Sequence, residues 1–342
     1  MTETATEPAW AHLPDKDLLA MRVCDLRVRI EGSALAPHVQ QLHDELKTRG
    51  LRFRPHFWLS DDWYTPDGVP GIALPFYMAH PRLMRLEESQ MLQVEGGEPE
   101  WCMRILRHEA RHAIENAYRL RRLRRRIELF GRSSQKYPES YEPRPYSKSF
   151  VQHLEAWYAQ SHPDEDFAET FAVWLTPGTE WEKRYVGWPA LKKLQYVDEL
   201  MRSINGRAAS VRSRRVVDPI EKLTKTLREH YAERRRHYGI EVPRLYDLDL
   251  RRIFSADPAF KNHPAATRFL RRVRREVRKL VATWTGAYQY TVDQVFEDIV
   301  NRCRELELRL AVPEPQAKTE FAVLLTVQTM NFLHSGRHRV AL

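Results

Sequence analysis

Two short segments of the chain carry side chains whose types and spacing could do chemistry. The first is His108-Glu109-Ala110-Arg111-His112, an HExxH motif. Residues four apart lie on the same face of a helix, so both imidazoles can point at one ion. Neutral imidazole is a good zinc ligand, and Glu109 is placed to take a proton from zinc-bound water. The plainer alternative is two histidines on the surface of a charged helix.

The second segment, residues 161–172, supplies acidic side chains. His162-Pro163 interrupts the preceding structure, and Asp164 and Glu165 suit the first turn of a helix, where acids interact well with the helix dipole. Glu165 and Glu169 are four residues apart and share a face. Two acids on a partly buried helix face are costly unless they are paired or bind a cation. The segment therefore predicts a source for the third zinc ligand, with an ordinary acidic helix face as the alternative.

An HExxH motif followed by a glutamate on a later helix is the gluzincin pattern. The sequence motif Pro163-x-Glu165-x-Phe-Ala-Glu169 resembles that of a family of zinc-binding metallopeptidases. It is also similar to the glutamate helix of Mlc titration factor and of the lethal-factor protease domain. The resemblance implies that Glu165 binds zinc together with His108 and His112. It also implies that Glu169 orients a ligand histidine.

The resemblance covers residues 20–200, including Gly71–Tyr77 and Trp157–Gln160. It implies a zincin-like fold. The chain departs from the family pattern at the fourth motif position, where Arg111 replaces the usual glycine. On a helix, Arg111 points about 80° away from the two histidines, so we expect no clash with zinc. It does add bulk where helices pack closely.

Peptide hydrolysis also needs a group that stabilises negative charge on the carbonyl oxygen. Tyr158 precedes Glu165 by seven residues, the spacing of a catalytic tyrosine in the lethal-factor-like pattern. The alternative is a core aromatic with a hydrogen-bonded hydroxyl. His153 and His162 are further candidates, and each is favoured as a structural or exposed residue.

The elements that position these residues predict an α+β fold. Alternation at residues 26–30 and apolar runs at 53–59 and 71–78 predict strands. Pro75 indicates that the last of these is an edge strand, which could pair with an extended substrate. A helix over 36–49 is expected to stop at Gly50. A loop is predicted at 131–146. One long helix or two abutting helices are predicted at 99–129. Further helices are predicted at 147–160, 164–175, 188–204, 219–238, 264–285, 290–310 and 316–333.

These patterns predict a zincin-like metallopeptidase domain, with a small N-terminal sheet and active-site helices, over residues 21–204. A flexible N-terminal arm precedes it at 1–20, and a mostly α-helical, basic C-terminal bundle follows a linker and spans 214–342. The charge is distributed unevenly: residues 1–100 carry 10 basic and 16 acidic side chains, and residues 201–342 carry 28 and 16. The net charge of +9 therefore belongs mostly to the C-terminal bundle.

Two arginine-rich stretches, within 119–126 and 271–279, have helical spacing of apolar residues between the basic ones. Basic helices can contact phosphates. Because no nucleic-acid-binding signature accompanies them, a solvated helix face is favoured over nucleic-acid binding. In the second stretch, Leu270, Val273, Val277, Leu280 and Trp284 are expected to pack as one stripe.

The composition narrows the class of protein and its expected cellular compartment. Hydrophobic residues make up 42% of the 342 residues, as in a globular protein. Three distant cysteines cannot form a disulfide framework, and neither a secretory signal nor an apolar span is evident, so a cytoplasmic protein is expected. The sequence thus predicts a zinc metallopeptidase acting on a peptide or protein substrate. The alternative is a non-catalytic zincin-fold protein whose basic bundle binds nucleic acid or an acidic protein.

Overall fold

A computed structural model describes residues 7–91, 93–138, 141, 144–145, 147–237 and 247–334. Within them the chain forms two compact units, the first made of 7–90 and 94–233 and the second of 91–93 and 234–334. The described residues are mostly helical with two small sheets, consistent with an α+β layout. None of the helices in these residues is both long enough and apolar enough to span a bilayer.

The first unit holds most of the shorter helices and one sheet. The α-helices that begin in it are α1 (Asp15–Leu18), α2 (Leu35–Thr48), α3 (Pro81–Met91), α4 (Pro99–Tyr118), α5 (Arg124–Phe130), α6 (Pro163–Leu175), α7 (Trp181–Arg184), α8 (Ala190–Ile204) and α9 (Leu227–His237). Short 3-10 helices lie at Ala9–His12, Val23–Leu26, Phe76–Ala79, Leu120–Arg122, Glu155–Gln160 and Ile220–Lys222. The strands are β1 (His56–Ser60) and β2 (Gly71–Pro75).

Helix α4, which carries HExxH, is the central element of this unit. Pro99 stands in its first turn, where a missing N–H costs nothing, and Arg119 ends it in a left-handed conformation with φ 57°. The helix packs against α2, α6 and β2. A buried bidentate ion pair, Arg107 Nε and Nη2 to Glu45 at 2.8 and 2.7 Å, joins it to α2. The motif therefore lies on a helix that is held from several sides.

Helix α6, which carries the acidic segment, is buried along its whole length from Asp164 to Leu175. Pro163 begins it, and Nδ1 of His162 accepts a hydrogen bond from the backbone N–H of Asp164 at 3.1 Å. The predicted helix at 164–175 is confirmed within one residue. Because a buried carboxylate is costly without a partner, every acid on this helix must find a cation inside the fold.

The two predicted strands near the site do form, as a parallel pair with His56 opposite Gly71. Among the described residues β2 pairs with β1 alone in its sheet, which confirms that it is an edge strand, and its pairing with a substrate stays a prediction. All five residues of β2 are buried, and on the side away from β1 the N–H of Ala73 donates to the carbonyl of Tyr64 at 2.8 Å. An extended peptide would have to displace that contact.

Two expectations near the N-terminus are corrected. No strand forms at residues 26–30, because Val23–Leu26 is a 3-10 helix and Arg27 turns the chain with φ 50°. The described part of the predicted arm, residues 7–20, is not a flexible arm. Trp10 and Leu18 are buried, and the indole N–H of Trp10 donates to the carbonyl of Leu26 at 2.9 Å. Residues 1–6 lie outside the described residues.

Several predicted helices are shorter than their patterns suggested. At 99–129 the chain forms two α-helices, the second of the predicted arrangements, because Arg119 leaves the helical conformation and α5 follows at Arg124–Phe130. The one expected at 147–160 is reduced to the 3-10 helix Glu155–Gln160, and that at 219–238 becomes Ile220–Lys222 followed by α9. The described residues of 131–146 form a loop, as predicted.

The boundary of the second unit lies later than the predicted start at 214. Residues 214–233 belong to the first unit, where Leu227 N–H donates to the carbonyl of Met21 at 2.9 Å. The indole of Trp58 likewise donates to the carbonyl of Val217 at 2.8 Å. The predicted linker is therefore followed by a segment, residues 214–233, that packs as part of the first unit.

The second unit contains α10 (Asp247–Ile253), α11 (Ala266–Thr285), α12 (Gln289–Glu305) and α13 (Glu314–His334). It is not all-helical, since β3 (Phe254–Ser255) and β4 (Arg309–Leu310) pair antiparallel. The expected apolar stripe of α11 is only partly right. Leu280 and Trp284 are 47% and 80% exposed, and Val281 is buried in the core instead. A helical period of 3.6 residues carries the regular stripe off the buried face over this length.

Candidate metal centre

Three side chains from α4 and α6 converge on one point. Nε2 of His108 and Nε2 of His112 are 3.2 Å apart, as expected for residues four apart on one helix. Oε2 of Glu165 lies 2.9 Å from the first nitrogen and 3.4 Å from the second. His108 and Glu165 are buried, and His112 is partly exposed. These three residues could hold a metal ion.

The triangle formed by these three atoms fits zinc. Ligand atoms at about 2.0–2.1 Å from a tetrahedral zinc ion are about 3.3 Å apart, which is close to the three separations. Two imidazoles and one carboxylate are also a donor set that zinc takes in catalytic sites, where a fourth position stays open. The geometry and the chemistry of the donors thus agree.

His108 lies between two carboxylates. Its Nδ1 is 2.8 Å from Oε1 of Glu169, and the other oxygen of Glu169 accepts the backbone N–H of Leu154 at 2.7 Å. Burial alone would lower the pKa of His108, but its hydrogen bonds to Glu165 and Glu169 raise it to about 10. The neighbouring His112, followed by hydrogen bonds from His108 and His112, holds the pKa of Glu165 well below its usual value despite burial. The site is therefore built to stabilise positive charge.

Glu109 has one buried carboxylate oxygen, Oε2, without a hydrogen-bond partner among the described residues. The residue is 9% exposed and stands next to His108 on α4. A buried carboxylate oxygen that makes no hydrogen bond is costly, so such a group calls for an explanation. Acceptance of a proton from a reacting molecule would supply one.

Tyr137 is a site residue that the sequence did not predict. Its hydroxyl donates to Oε1 of Glu165 at 2.6 Å, and its ring stacks on the ring of His162 with centroids 3.7 Å apart. Burial, followed by the nearby charge of Glu165, raises the pKa of this tyrosine, so it remains a donor. Because it lies in the loop after α5, no helical spacing connects it to the motifs.

The other sequence candidates are placed as follows. The ring of Tyr158 lies 5.6 Å from that of His108, centroid to centroid, so it is near the centre. Nε2 of His162 is 2.9 Å from the carbonyl of Gln135, and its Nδ1 caps α6. Nε2 of His153 is 2.9 Å from the carbonyl of Arg104. Both of these histidines have backbone partners, in line with the structural role favoured for them.

His153 predicts an acid sensitivity of the fold. Its burial lowers its pKa from 6.5 to about 4, so the unfolded chain binds more protons than the folded one between those values. Folding stability is therefore lost as pH falls through that window, by about 3 kcal/mol for the full shift. We expect His153→Gln to lose this part of the pH dependence in urea unfolding followed from pH 7 to pH 4 with a chelator present.

The control for this measurement is His12→Gln, because the His12 side chain is 72% exposed. The His12 variant should follow the wild-type pH dependence. If the His153 variant also follows it, burial of a neutral His153 does not cause the acid sensitivity.

A buried charge cluster lies beside the centre, formed by Arg111, Glu115, Arg121, Arg126 and Asp164. Glu115 is approached by all three arginines, at 2.9, 3.1 and 3.5 Å in that order, and Arg126 also pairs with Asp164. Three guanidinium groups thus face two carboxylates. Of the six arginines in the first arginine-rich stretch, Arg121 and Arg126 pair with these carboxylates, whereas the other four are exposed, in line with the solvated face favoured for it.

The guanidinium of Arg111 contacts His112 at Nδ1, the ring nitrogen that faces away from the converging ligand atoms, so the expectation that Arg111 does not clash with zinc stays a prediction. Its Nη1 lies 2.9 Å from Nδ1 of His112, while its carbon stands 4.3 Å from the centre of the Phe167 ring. The angle of about 80° between Arg111 and the histidines on the helix describes where a rigid side chain would point. A long arginine can nevertheless reach back along the helix surface.

No curated protein and no solved structure matches the chain. A family model does match residues 101–185, a range that contains the HExxH motif, Tyr137 and helix α6. The family is described as "Putative zinc-binding metallo-peptidase", which agrees with the zinc predicted from the motif and with the convergence of His108, His112 and Glu165.

Proposed function

We propose that the protein is a zinc-dependent peptidase of gluzincin type, with a zincin-like fold in its first unit. The observation that carries the proposal is the convergence of two motif histidines and one distant glutamate on a single point, with separations of 2.9–3.4 Å. The family match over residues 101–185 supports it independently. Peptides or proteins are the substrates that such a family would take.

In this proposal each residue has a separate task. His108, His112 and Glu165 would hold zinc, which supplies Lewis-acid chemistry when bound, polarising a carbonyl and making water more acidic. Glu109 removes a proton from the attacking water with its unpartnered oxygen and later passes that proton to the leaving amine. Breaking the peptide bond in this way consumes one water and leaves a carboxylate and an amine.

The surrounding residues orient this machinery. Glu169 accepts the Nδ1 proton of His108 and so leaves Nε2 of that ring facing the centre. Tyr137 holds one oxygen of Glu165 and leaves the other, Oε2, turned toward the histidines. Tyr158, whose ring is close to His108, is proposed as the donor to the oxyanion.

Metal analysis of the purified full chain tests the proposal. We expect about one zinc ion per wild-type chain, and a fall in zinc affinity of more than about 100-fold for Glu165→Ala, because one of three ligands is removed. The matched control is Glu182→Ala, which removes an exposed carboxylate on α7. A wild-type chain that binds no zinc would rule the proposal out.

A further inference from the structure

The two motif histidines have opposite partners on their Nδ1 atoms. Nδ1 of His108 faces a carboxylate, Oε1 of Glu169 at 2.8 Å, which only accepts hydrogen bonds when ionised. Nδ1 of His112 faces Nη1 of Arg111 at 2.9 Å. A guanidinium group only donates hydrogen bonds and cannot be deprotonated in proteins. The Nδ1 atom of His112 must therefore be the acceptor in this contact.

This contact decides where His112 carries its proton. In a neutral imidazole one nitrogen carries the proton and the other accepts. With Nδ1 accepting from Arg111, the proton lies on Nε2, which is 3.2 Å from Nε2 of His108 and 3.4 Å from Oε2 of Glu165. Ligation of a metal through Nε2 requires the lone pair of that same atom. The Arg111 contact and metal ligation are thus mutually exclusive for a neutral His112 ring.

Arg111 is held firmly in this position. It is 1% exposed, its Nη2 donates to Glu115 at 2.9 Å, and its guanidinium lies over the ring of Phe167. It is, however, not needed to neutralise the buried charge cluster. Without it, Arg121 and Arg126 would face Glu115 and Asp164, two charges of each sign.

We propose that Arg111 is a positioning residue that opposes metal binding, because it holds His112 in the Nε2–H tautomer and so lowers the zinc affinity of the site. The inference rests on the proposed zinc site and concerns its regulation. When zinc is bound, the His112 proton has to leave Nε2 and lie on Nδ1, and Arg111 then loses its acceptor. The histidine partner that normally favours ligation is a carboxylate or a carbonyl, as at His108.

Two variants, each of which removes one positive charge from the buried cluster, test whether Arg111 lowers the zinc affinity. Arg111→Met removes the donor and keeps an apolar stem over Phe167, while Arg121→Met removes one positive charge from the same cluster without touching His112. We expect Arg111→Met to bind zinc about tenfold more tightly than wild type, and Arg121→Met to change its affinity less than about threefold. The affinities are measured with the full chain by competition with a chromophoric zinc chelator at fixed pH.

A second measurement needs no variant. Long-range ¹H–¹⁵N NMR spectra of the zinc-free wild-type chain, labelled at histidine, report which ring nitrogen carries the proton. A proton on Nε2 of His112 is expected, and a proton on Nδ1 would overturn the inference. So would an Arg111→Met variant that folds and binds zinc no more tightly than wild type, or equal gains in both variants. If neither the wild type nor the variants bind zinc, the proposed function fails instead.

Discussion

Glu109→Gln is expected to lower the rate of peptide hydrolysis by about 10²–10⁴-fold while the chain keeps its zinc. The amide has the shape of the carboxylate but cannot take up the proton of the attacking water. Zinc is retained because the converging atoms belong to His108, His112 and Glu165 and not to Glu109. Cleavage is followed by mass spectrometry of a broad peptide library, with zinc content measured on the same samples.

The matched control is Glu100→Gln, which changes an exposed carboxylate in the first turn of the same helix. It should cleave like the wild type. A Glu109 variant that retains full activity would show that another group acts as the base. A wild-type chain that binds zinc but cleaves no peptide would separate the metal site from the peptidase activity.

The largest loss of stability is expected for Glu115→Gln, which should lower the free energy of unfolding by about 3–5 kcal/mol. The carboxylate is fully buried and pairs with Arg111, Arg121 and Arg126. Its loss leaves Asp164 as the one buried carboxylate among the described residues that faces the three guanidinium groups, since the other partner of Arg121, Asp67, is exposed. Urea unfolding of the zinc-free chain measures the effect without a contribution from the metal.

Two further variants test whether charge imbalance causes the loss of stability in Glu115→Gln. Glu199→Gln breaks an ion pair with Arg125 in which both side chains are more than half exposed, and it should cost less than about 1 kcal/mol. Adding Arg111→Met to Glu115→Gln removes one of the excess positive charges and should recover part of the lost stability. If the double variant is as unstable as expected from adding the two single effects, charge imbalance is not the cause.

The sequence predicted the metal centre through helical spacing. His108 with His112 and Glu165 with Glu169 each stand four residues apart, and a rigid helix converts that spacing into a shared face. Both helices form nearly where the patterns placed them, α4 beginning at Pro99 and α6 at Pro163. The assignment of Glu165 to the centre came from the resemblance of the acidic segment to a known family.

Contacts that depend on the path of a loop or on a long side chain could not be predicted in this way. Tyr137 reaches Glu165 from the loop after α5, a path that no local pattern determines. The strand expected at residues 26–30 failed because alternation cannot detect that Arg27 takes a left-handed turn. The contact of Arg111 with His112 depends on the rotamers of a flexible side chain, which spacing does not specify.

Three consecutive acidic residues near the start of α6 prevent this helix from rotating about its axis. Asp164 is held by Arg126 of α5, Glu165 by the histidines of α4, and Asp166 by Lys193 of α8 at 2.6 Å. Three consecutive residues point in directions about 100° apart around the axis, so α6 is fastened from three sides and cannot turn about its axis without breaking a buried ion pair. The backbone of α6 therefore serves as a fixed reference, and Glu165 adjusts to a metal or a substrate through its side-chain rotamer.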